Sequence, residues 1–133
     1  EFEIFNLLDK YKISFIVLAR YMQILSSNFV KRYSNQIINI HHGFLPAFKG
    51  RKPYHQAWEK GVKMIGATAH YVTEELDEGP IIEQDVESVT HYYSVNEMIE
   101  IGRNIERKVL LLAVKAHLEH KILIHKQRTI IFH

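Results

Sequence analysis

The sequence predicts an α/β domain in which helices flank a sheet that begins parallel and ends more antiparallel. Short apolar runs rich in β-branched residues alternate with segments of helical period, and this alternation is typical of a layered α/β fold. Two strand-like pieces, KILIH and TIIFH, follow the longest helical segment and predict the antiparallel end. No repeat, low-complexity segment or linker interrupts the 133 residues, so residues 1–133 are assigned to one domain.

The elements before residue 42 are predicted from periodicity and capping. Residues 2–10 repeat their apolar side chains at helical spacing, and the run KISFIVLA at 12–19 predicts a buried strand. A short helix is expected over 27–33, with the serine before or at its start as the N-cap. The run QIINIH at 36–41 predicts a second buried strand.

A loop that contains glycine and proline separates this strand from the next helix. That helix, PYHQAWEK, begins with Pro53, which suits a first turn, and Gly61 follows it as a C-terminal cap. The run KMIGATAHYV at 63–72 predicts a third strand, and its alternation places Thr68 and His70 on one face.

The last part of the chain carries one further strand before the longest helix. The strand is predicted near 81–86, after a polar turn. The helix starts with Ser94 and Glu97, whose spacing forms a capping box, and its later apolar residues keep the helical period.

Composition excludes several classes of protein. A hydrophobic fraction of 47%, a charged fraction of 24% and a net charge of +2 describe an ordinary globular protein without the electrostatic footprint of a nucleic-acid binder. No apolar stretch approaches the roughly 20 residues that a membrane-spanning helix needs. The absence of cysteine excludes disulfides, thiolate metal sites and a cysteine nucleophile, and it suits a cytoplasmic protein.

Polar side chains mark the end of the second predicted strand. Asn39 and His41 are two residues apart, so they project from the same face, whereas His42 points the other way or into the loop. Ligands of open α/β sheets bind at the carboxyl ends of the strands. An amide donor and an imidazole placed together there predict stabilisation of an oxyanion on a carbonyl carbon under attack.

A carboxylate is needed to complete such a centre. Asp77 is the best candidate, because the Gly-Pro pair that follows it holds a loop able to present one acid to a cleft. Glu74, Glu75 and Glu78 lie in the same acidic turn, and composition alone does not choose among the four.

Two other kinds of chemistry are disfavoured. A zinc site built from His41, His42, His55 and His70 is conceivable, but no HExxH or comparable ligand spacing is present. Serine catalysis is less favoured still, because the chain contains no G-x-S-x-G motif.

Four segments together resemble the formyltetrahydrofolate deformylase branch of the formyltransferase family. They are LARYMQIL at 18–25, INIHHGFLPAFKG at 38–50, PYHQAWEKGVK at 53–63 and IGATAHYVTEELDEGPIIEQDV at 65–86. Asn-x-His followed by a Leu-Asp-x-Gly-Pro loop marks the wider family, and the double histidine favours the deformylase branch. The fold implied is the Rossmann-like sheet of the family with flanking helices, without the N-terminal strands and the ACT-like domain that precede this portion in the branch.

The resemblance implies hydrolysis of 10-formyltetrahydrofolate to tetrahydrofolate and formate, which supplies purine biosynthesis. Asn39, His41 and Asp77 match the catalytic set of the family. No metal or cofactor is implied, because the folate is itself the substrate. The residues implied in substrate binding or in support of the catalytic set are His42, Thr68, His70, Thr73, Glu75 and Gly79.

The resemblance leaves the partners and the activity of this chain open. A homo-oligomer or a complementing N-terminal half is expected, with 10-formyltetrahydrofolate as the ligand and no nucleic acid or membrane. The alternatives are an inactive remnant, a partner subunit of a split deformylase, and a formyltransferase that acts on an amine acceptor.

Overall fold

The computed structural model describes residues 1–19, 24–41 and 52–133. The helices are α1 (Phe2–Lys10), α2 (Ser27–Arg32), α3 (Pro53–Lys60) and α4 (Val95–Leu118). The strands are β1 (Ile16–Ala19), β2 (Ile37–His41), β3 (Met64–Tyr71), β4 (Ile81–Ser88), β5 (Ile122–His125) and β6 (Arg128–Ile131). No helix in these described ranges is long and apolar enough to cross a membrane.

The six strands form one mixed sheet with the order β1-β2-β3-β4-β6-β5. The pair β1–β2 is parallel, and the pairs β2–β3, β3–β4 and β5–β6 are antiparallel. The predicted change from parallel to antiparallel pairing is therefore confirmed. One further parallel contact joins β4 to β6, because α4 carries the chain back along the sheet before the final hairpin.

The local signals of the sequence begin and end the helices as expected. The Ser26 hydroxyl accepts a hydrogen bond from the Phe29 backbone amide at 3.2 Å and so caps α2. Pro53 occupies the first turn of α3, and Gly61 ends that helix in the left-handed region with a φ of 70°. Both hydrogen bonds of the predicted capping box are present at the start of α4.

Each face of the sheet has its own cover. On one face, α4 packs against β3 and β4, and α3 packs against α4. Ala67, Ala69 and Val109 are completely buried there, so the small side chains of β3 let the long helix approach closely. On the other face, a smaller cluster around Phe29 and Ile37 joins α2 to β2. The side chains of the candidate site lie on this second face.

The prediction that the first strand is buried is wrong. The strand is shorter than the apolar run, and Ile16 and Leu18 are only partly buried where they pack on the smaller cluster. Val17 points away from that cluster and is 41% exposed. The reason is topological: β1 is the outermost strand of this sheet among the described residues, and its second face is left partly exposed at Val17.

A partly buried polar contact connects β3 to the end of α4. The Tyr71 hydroxyl lies 2.7 Å from His117 Nδ1, and the His117 ring stacks on Phe15 with a centroid separation of 4.2 Å. Burial raises the pKa of Tyr71 to about 12. Burial also lowers the pKa of His117, and His120 acts in the same direction.

The lowered pKa of His117 predicts a loss of stability in acid. In the unfolded chain this imidazole takes up a proton near its ordinary value of 6.5, whereas in the folded chain it does so only at lower pH. The free energy of unfolding should therefore fall as the pH drops from about 6.5 and stay level above it. We expect His117→Gln to make that fall shallower in urea unfolding followed between about pH 7 and pH 5. His125→Gln, a change at an exposed histidine, is the control, and equal slopes for the two variants would contradict the prediction.

Candidate active site

Four buried polar side chains meet across two neighbouring strands. The antiparallel register pairs Asn39 with His70 and His41 with Thr68, so all four project from the same face of the sheet. Asn39 and His41 are each 6% exposed, His70 is 2% exposed and Thr68 is completely buried. The sequence prediction that Asn39 and His41 project together is confirmed, and the structure adds the facing pair from β3.

The carboxylate of Asp77 lies between the two imidazoles. Its Oδ2 atom is 3.4 Å from His41 Nδ1, and its Oδ1 atom is 3.5 Å from His70 Nε2. The Asp77 side chain keeps 22% of its surface exposed, so one side of the carboxylate faces open space. A carboxylate that touches two buried imidazoles and remains accessible is placed to orient a water molecule or accept a proton.

The backbone of the loop between β3 and β4 sets this position. Asp77 adopts the left-handed conformation with a φ of 57°, which a short polar residue tolerates better than most. Two residues later, a Cβ atom on Gly79 would lie 1.6 Å from the backbone oxygen of Tyr71. The loop is therefore pressed against the end of β3, and any larger residue at Gly79 would push it away. The Tyr71 amide closes the loop by donating to the backbone oxygen of Pro80 at 3.0 Å.

The orientation of His70 is determined by the backbone. Its Nδ1 atom lies 2.9 Å from the carbonyl oxygen of Tyr71, which can only accept a hydrogen bond. Nδ1 is therefore the donor, and Nε2 is the ring atom presented to Asp77. His70 can donate to the carbonyl and to the carboxylate together only when both of its nitrogens carry protons.

The protonation of His41 reflects three competing influences. Burial lowers the pKa of this imidazole, the Asp77 carboxylate raises it, and His70 lowers it again. The net shift is downward from the ordinary value of 6.5, so burial and His70 outweigh the carboxylate. His41 is accordingly neutral near pH 7 and able to take up a proton.

The structure distinguishes Asp77 from the three glutamates of the same turn. The Glu74 carboxylate accepts a hydrogen bond from the Ser27 hydroxyl at 2.8 Å and so ties the turn to α2. Glu75 and Glu78 interact with each other, and that contact raises the pKa of Glu75. Within the described residues, Asp77 is the acid of this turn that contacts His41 and His70.

A small cavity opens beside the catalytic candidates. Its volume is about 20 Å³, room for a water molecule. Asn39, His70 and Asp77 form part of its wall together with Thr73 and Glu75. The apolar part of the wall consists of Leu18, Ile24, Leu25, Val72 and Leu76.

The remaining predicted residues have different surroundings. The Thr73 hydroxyl donates to the Glu75 carbonyl at 3.2 Å, which stiffens the turn. Thr68 lines neither this cavity nor a larger one nearby, and its hydroxyl accepts a hydrogen bond from Gln84 Nε2 at 3.0 Å. Gly79 lines the larger cavity. His42 lies outside the described residues, and the roles assigned to all of these residues stay predictions.

Sequence reasoning overlooked Gln84. This residue pairs with Thr68 in the β3–β4 register, as Thr68 pairs with His41 in the β2–β3 register. The three side chains form one row across the sheet. A glutamine within a strand carries no spacing signal, so only the register reveals it.

In the part of the chain that the structure describes, no group of three or more histidine, cysteine, aspartate or glutamate side chains is arranged to hold a metal ion. Of the four histidines weighed as zinc ligands, His42 lies outside that part. The expectation of a centre without metal stays a prediction.

The contact between Asp77 and His41 predicts the effect of removing the carboxylate charge. Asp77 is the influence that raises the pKa of His41, so Asp77→Asn should lower that pKa further. The imidazole resonances of His41, followed by NMR through a pH titration, measure the change. Glu78→Gln removes a charge of the same sign from the same turn and should leave the His41 titration in place. A rise in the pKa of His41 in Asp77→Asn, or equal shifts in both variants, would contradict the assigned geometry.

The chain is similar to known proteins of the formyl transferase family. The Formyl transferase family model matches residues 1–114. The formyltetrahydrofolate deformylase of Bacillus subtilis is 58% identical over 127 residues, which are 96% of this chain and 42% of that protein. The deformylase of Escherichia coli K12 is 53% identical over 124 residues, 93% of this chain and 44% of that protein. The chain thus spans less than half the length of these curated relatives.

Solved structures show the same likeness. A formyltetrahydrofolate deformylase from Pseudomonas syringae superposes with a TM-score of 0.92 at 53% identity, over 98% of this chain and 44% of that one. A phosphoribosylglycinamide formyltransferase from Anaplasma phagocytophilum superposes with a TM-score of 0.91 at 32% identity, over 98% of this chain and 65% of that one. The expected fold, a formyltransferase-type sheet with flanking helices, is therefore confirmed. On the family match and these identities, the chain belongs to the formyl transferase family.

Proposed function

We propose that this chain carries the catalytic centre of an enzyme that hydrolyses 10-formyltetrahydrofolate to tetrahydrofolate and formate. The observation that supports it most is the contact of one partly exposed carboxylate, Asp77, with two buried imidazoles beside Asn39. More than half of the aligned residues are identical to those of proteins named formyltetrahydrofolate deformylase. This similarity favours the hydrolysis over other reactions of the family.

In the proposed reaction, Asp77 orients a water molecule and accepts its proton as the oxygen attacks the formyl carbon. His41, neutral because burial lowers its pKa, takes that proton across the 3.4 Å contact and delivers it to the departing folate nitrogen. The bond between the formyl carbon and this nitrogen breaks to give formic acid. Its remaining proton passes through the Asp77 carboxylate to solvent, so formate leaves with one negative charge. His41 in its protonated form and the Asn39 amide stabilise the tetrahedral oxyanion.

The buried end of Asn39 can hold the attacking water. Its Oδ1 atom has no hydrogen-bond partner among the described residues, although it is fully buried. Buried amide oxygens are normally satisfied, and one that is not is a candidate for a bound water or ligand group. Because an amide oxygen only accepts, we assign that partner to the water that attacks the formyl carbon, whose second O–H donates to Oδ1. The Nδ2 amide remains the donor to the oxyanion.

His70 serves in this proposal as a positioning residue. Its Nδ1 atom is held by the Tyr71 carbonyl, and Nε2 faces Asp77 at 3.5 Å. The substrate-binding assignments of His42, Thr73, Glu75 and Gly79 belong to the same proposal. The folate would lie between the apolar wall that includes Leu25 and the turn that carries Thr73 and Glu75.

Binding of the folate requires this turn to move. A volume of about 20 Å³ admits a water molecule, whereas a pterin ring is several times larger. The contact between Glu75 and Glu78 raises the pKa of Glu75, because the two carboxyl groups share a hydrogen bond when one is protonated and repel each other when both are ionised. Ionisation therefore weakens this contact and favours movement of the turn.

We also propose that the open edge of β1 pairs with a complementing segment, supplied by the same protein or by another chain. The chain spans 42% of the Bacillus subtilis relative, and Val17 on β1 is 41% exposed. The outer face of α1 is apolar and exposed as well, with Phe2 at 78% and Leu7 at 54%. These surfaces would be buried by further strands and helices of the family fold. We also propose that the protein is cytoplasmic, since disulfides are rare in that compartment and this chain can form none, and we assign the formate to purine biosynthesis.

The test is release of formate from 10-formyltetrahydrofolate by the purified chain. Asp77→Asn should lower kcat by about a hundredfold or more, because general acid–base catalysis contributes roughly 10²–10⁴-fold. Glu87→Gln, which changes an exposed glutamate of β4 outside both cavities, should leave kcat within about twofold of the parent chain.

Three outcomes would count against the proposal. Equal rates for the parent chain and Asp77→Asn would remove Asp77 from the reaction. Transfer of the formyl group to an added amine in preference to water would favour the alternative of an amine formyltransferase, whose solved relatives share the fold at 32% identity. No release by a folded chain, even with a complementing segment added, would favour a remnant without catalytic function.

A further inference from the structure

A second and larger cavity adjoins Asp77. Its volume is about 420 Å³, and it opens between the turn that carries Asp77 and the β5–β6 hairpin. Its walls are formed by Asp77, Glu78, Gly79, Ile81, Gln84, Gln127, Arg128 and Thr129. Asp77 is the one described residue that lines both this cavity and the small one.

A row of side chains connects the larger cavity to the catalytic candidates. His41, Thr68 and Gln84 occupy successive strands in register, on the face that carries the site. Gln84 Nε2 donates to the Thr68 hydroxyl at 3.0 Å, so the glutamine is held at the cavity wall by a completely buried partner. Across the sheet, Gln84 is therefore the neighbour of Thr68, and Thr68 is the neighbour of His41. The wall of the larger cavity lies two strands away from His41.

The two cavities differ in chemistry. Half of the small cavity's wall is made of branched apolar side chains, which suits the ring system of a folate. The larger cavity is lined mainly by polar and charged side chains: two glutamines, a threonine, Arg128 and the two acids Asp77 and Glu78. Gly79 and one apolar side chain, Ile81, complete the wall. Arg128 is exposed and forms no salt bridge with any residue in the described ranges.

We propose that the larger cavity is the route by which water reaches Asp77 and formate leaves, with Arg128 as the transient ligand of the departing anion. The inference rests on the proposed hydrolysis. Once the turn has moved, a folate bound against the apolar wall of the small cavity occupies that side of Asp77, so the water and the product need another path. Formate leaves with one negative charge, which Asp77 and Glu78 repel and Arg128 attracts. A guanidinium pairs well with a carboxylate, and the acidic residues nearby keep the binding weak enough for release.

The test is a titration of the isotopically labelled chain with sodium formate, followed by NMR, with sodium chloride added to a parallel sample at equal ionic strength. We expect saturable shifts of the Gln84 side-chain amide and of the Arg128 guanidinium with formate and not with chloride. Arg128→Gln should weaken formate binding by about tenfold, the loss expected for one charge-assisted hydrogen bond. Lys126→Gln removes the same charge from the same hairpin at a residue outside the cavity, and it should leave binding within about twofold.

Product inhibition provides a second readout. In the active protein, Arg128→Gln should raise the inhibition constant of formate by about tenfold and leave the KM for the folate unchanged. If Arg128 had only a structural role, Arg128→Gln would change both the inhibition constant of formate and the KM for the folate, or neither.

Several results would overturn the inference, and they separate it from the proposed function. Hydrolysis without formate binding at Gln84 and Arg128 would reject the exit route and keep the reaction. Equal weakening of formate binding in Arg128→Gln and Lys126→Gln would show that formate responds to the overall charge of the hairpin and does not bind at a specific site. Formate binding in a folded chain that never hydrolyses the folate would reject the exit role together with the proposed reaction.

Discussion

The Asp77 carboxylate lies 3.4 Å from His41 and 3.5 Å from His70, and the rest of the site is arranged around these two contacts. The interior strengthens such charge interactions, because buried groups are poorly screened by water. His70 is anchored to the backbone, so its Nε2 atom faces the carboxylate from one side. On the other side lies His41, whose pKa is lowered by burial. In the proposed reaction, a proton moves between Asp77 and His41.

The scaffold positions these groups through ordinary packing. Ala67 and Ala69 are completely buried beneath α4, which fixes β3 against the helix and leaves its alternate residues, Thr68 and His70, on the opposite face. The register with β2 then sets the spacing to His41. The close approach of Gly79 to the Tyr71 carbonyl brings the loop back over the same strand end. Core packing on one face of the sheet thus determines the geometry of the candidate site on the other.

Much of this arrangement could be predicted from the sequence, and the exceptions have physical reasons. The two-residue period placed Asn39 beside His41, and the capping residues located three helices. The choice of Asp77 over its glutamate neighbours depends on a left-handed φ of 57° and on the contact at Gly79, neither of which composition encodes. The burial of β1 was predicted wrongly. An apolar run shows that a strand is suited to a buried position, but it does not show whether other elements pack on both of its faces. Gln84 was missed because it is revealed by strand register alone.

The central claim is that the reacting formyl group lies at Asp77, between the apolar cavity and the polar one. A crystal structure with a stable analogue of 10-formyltetrahydrofolate, in which carbon replaces the nitrogen that carries the formyl group, tests it most directly. The account predicts the formyl oxygen within hydrogen-bonding distance of Asn39 and His41, and a water on Asp77 about 3–3.5 Å from the formyl carbon. An analogue bound with its formyl group beyond reach of Asp77, or with its ring system in the polar cavity beside Arg128, would contradict the account.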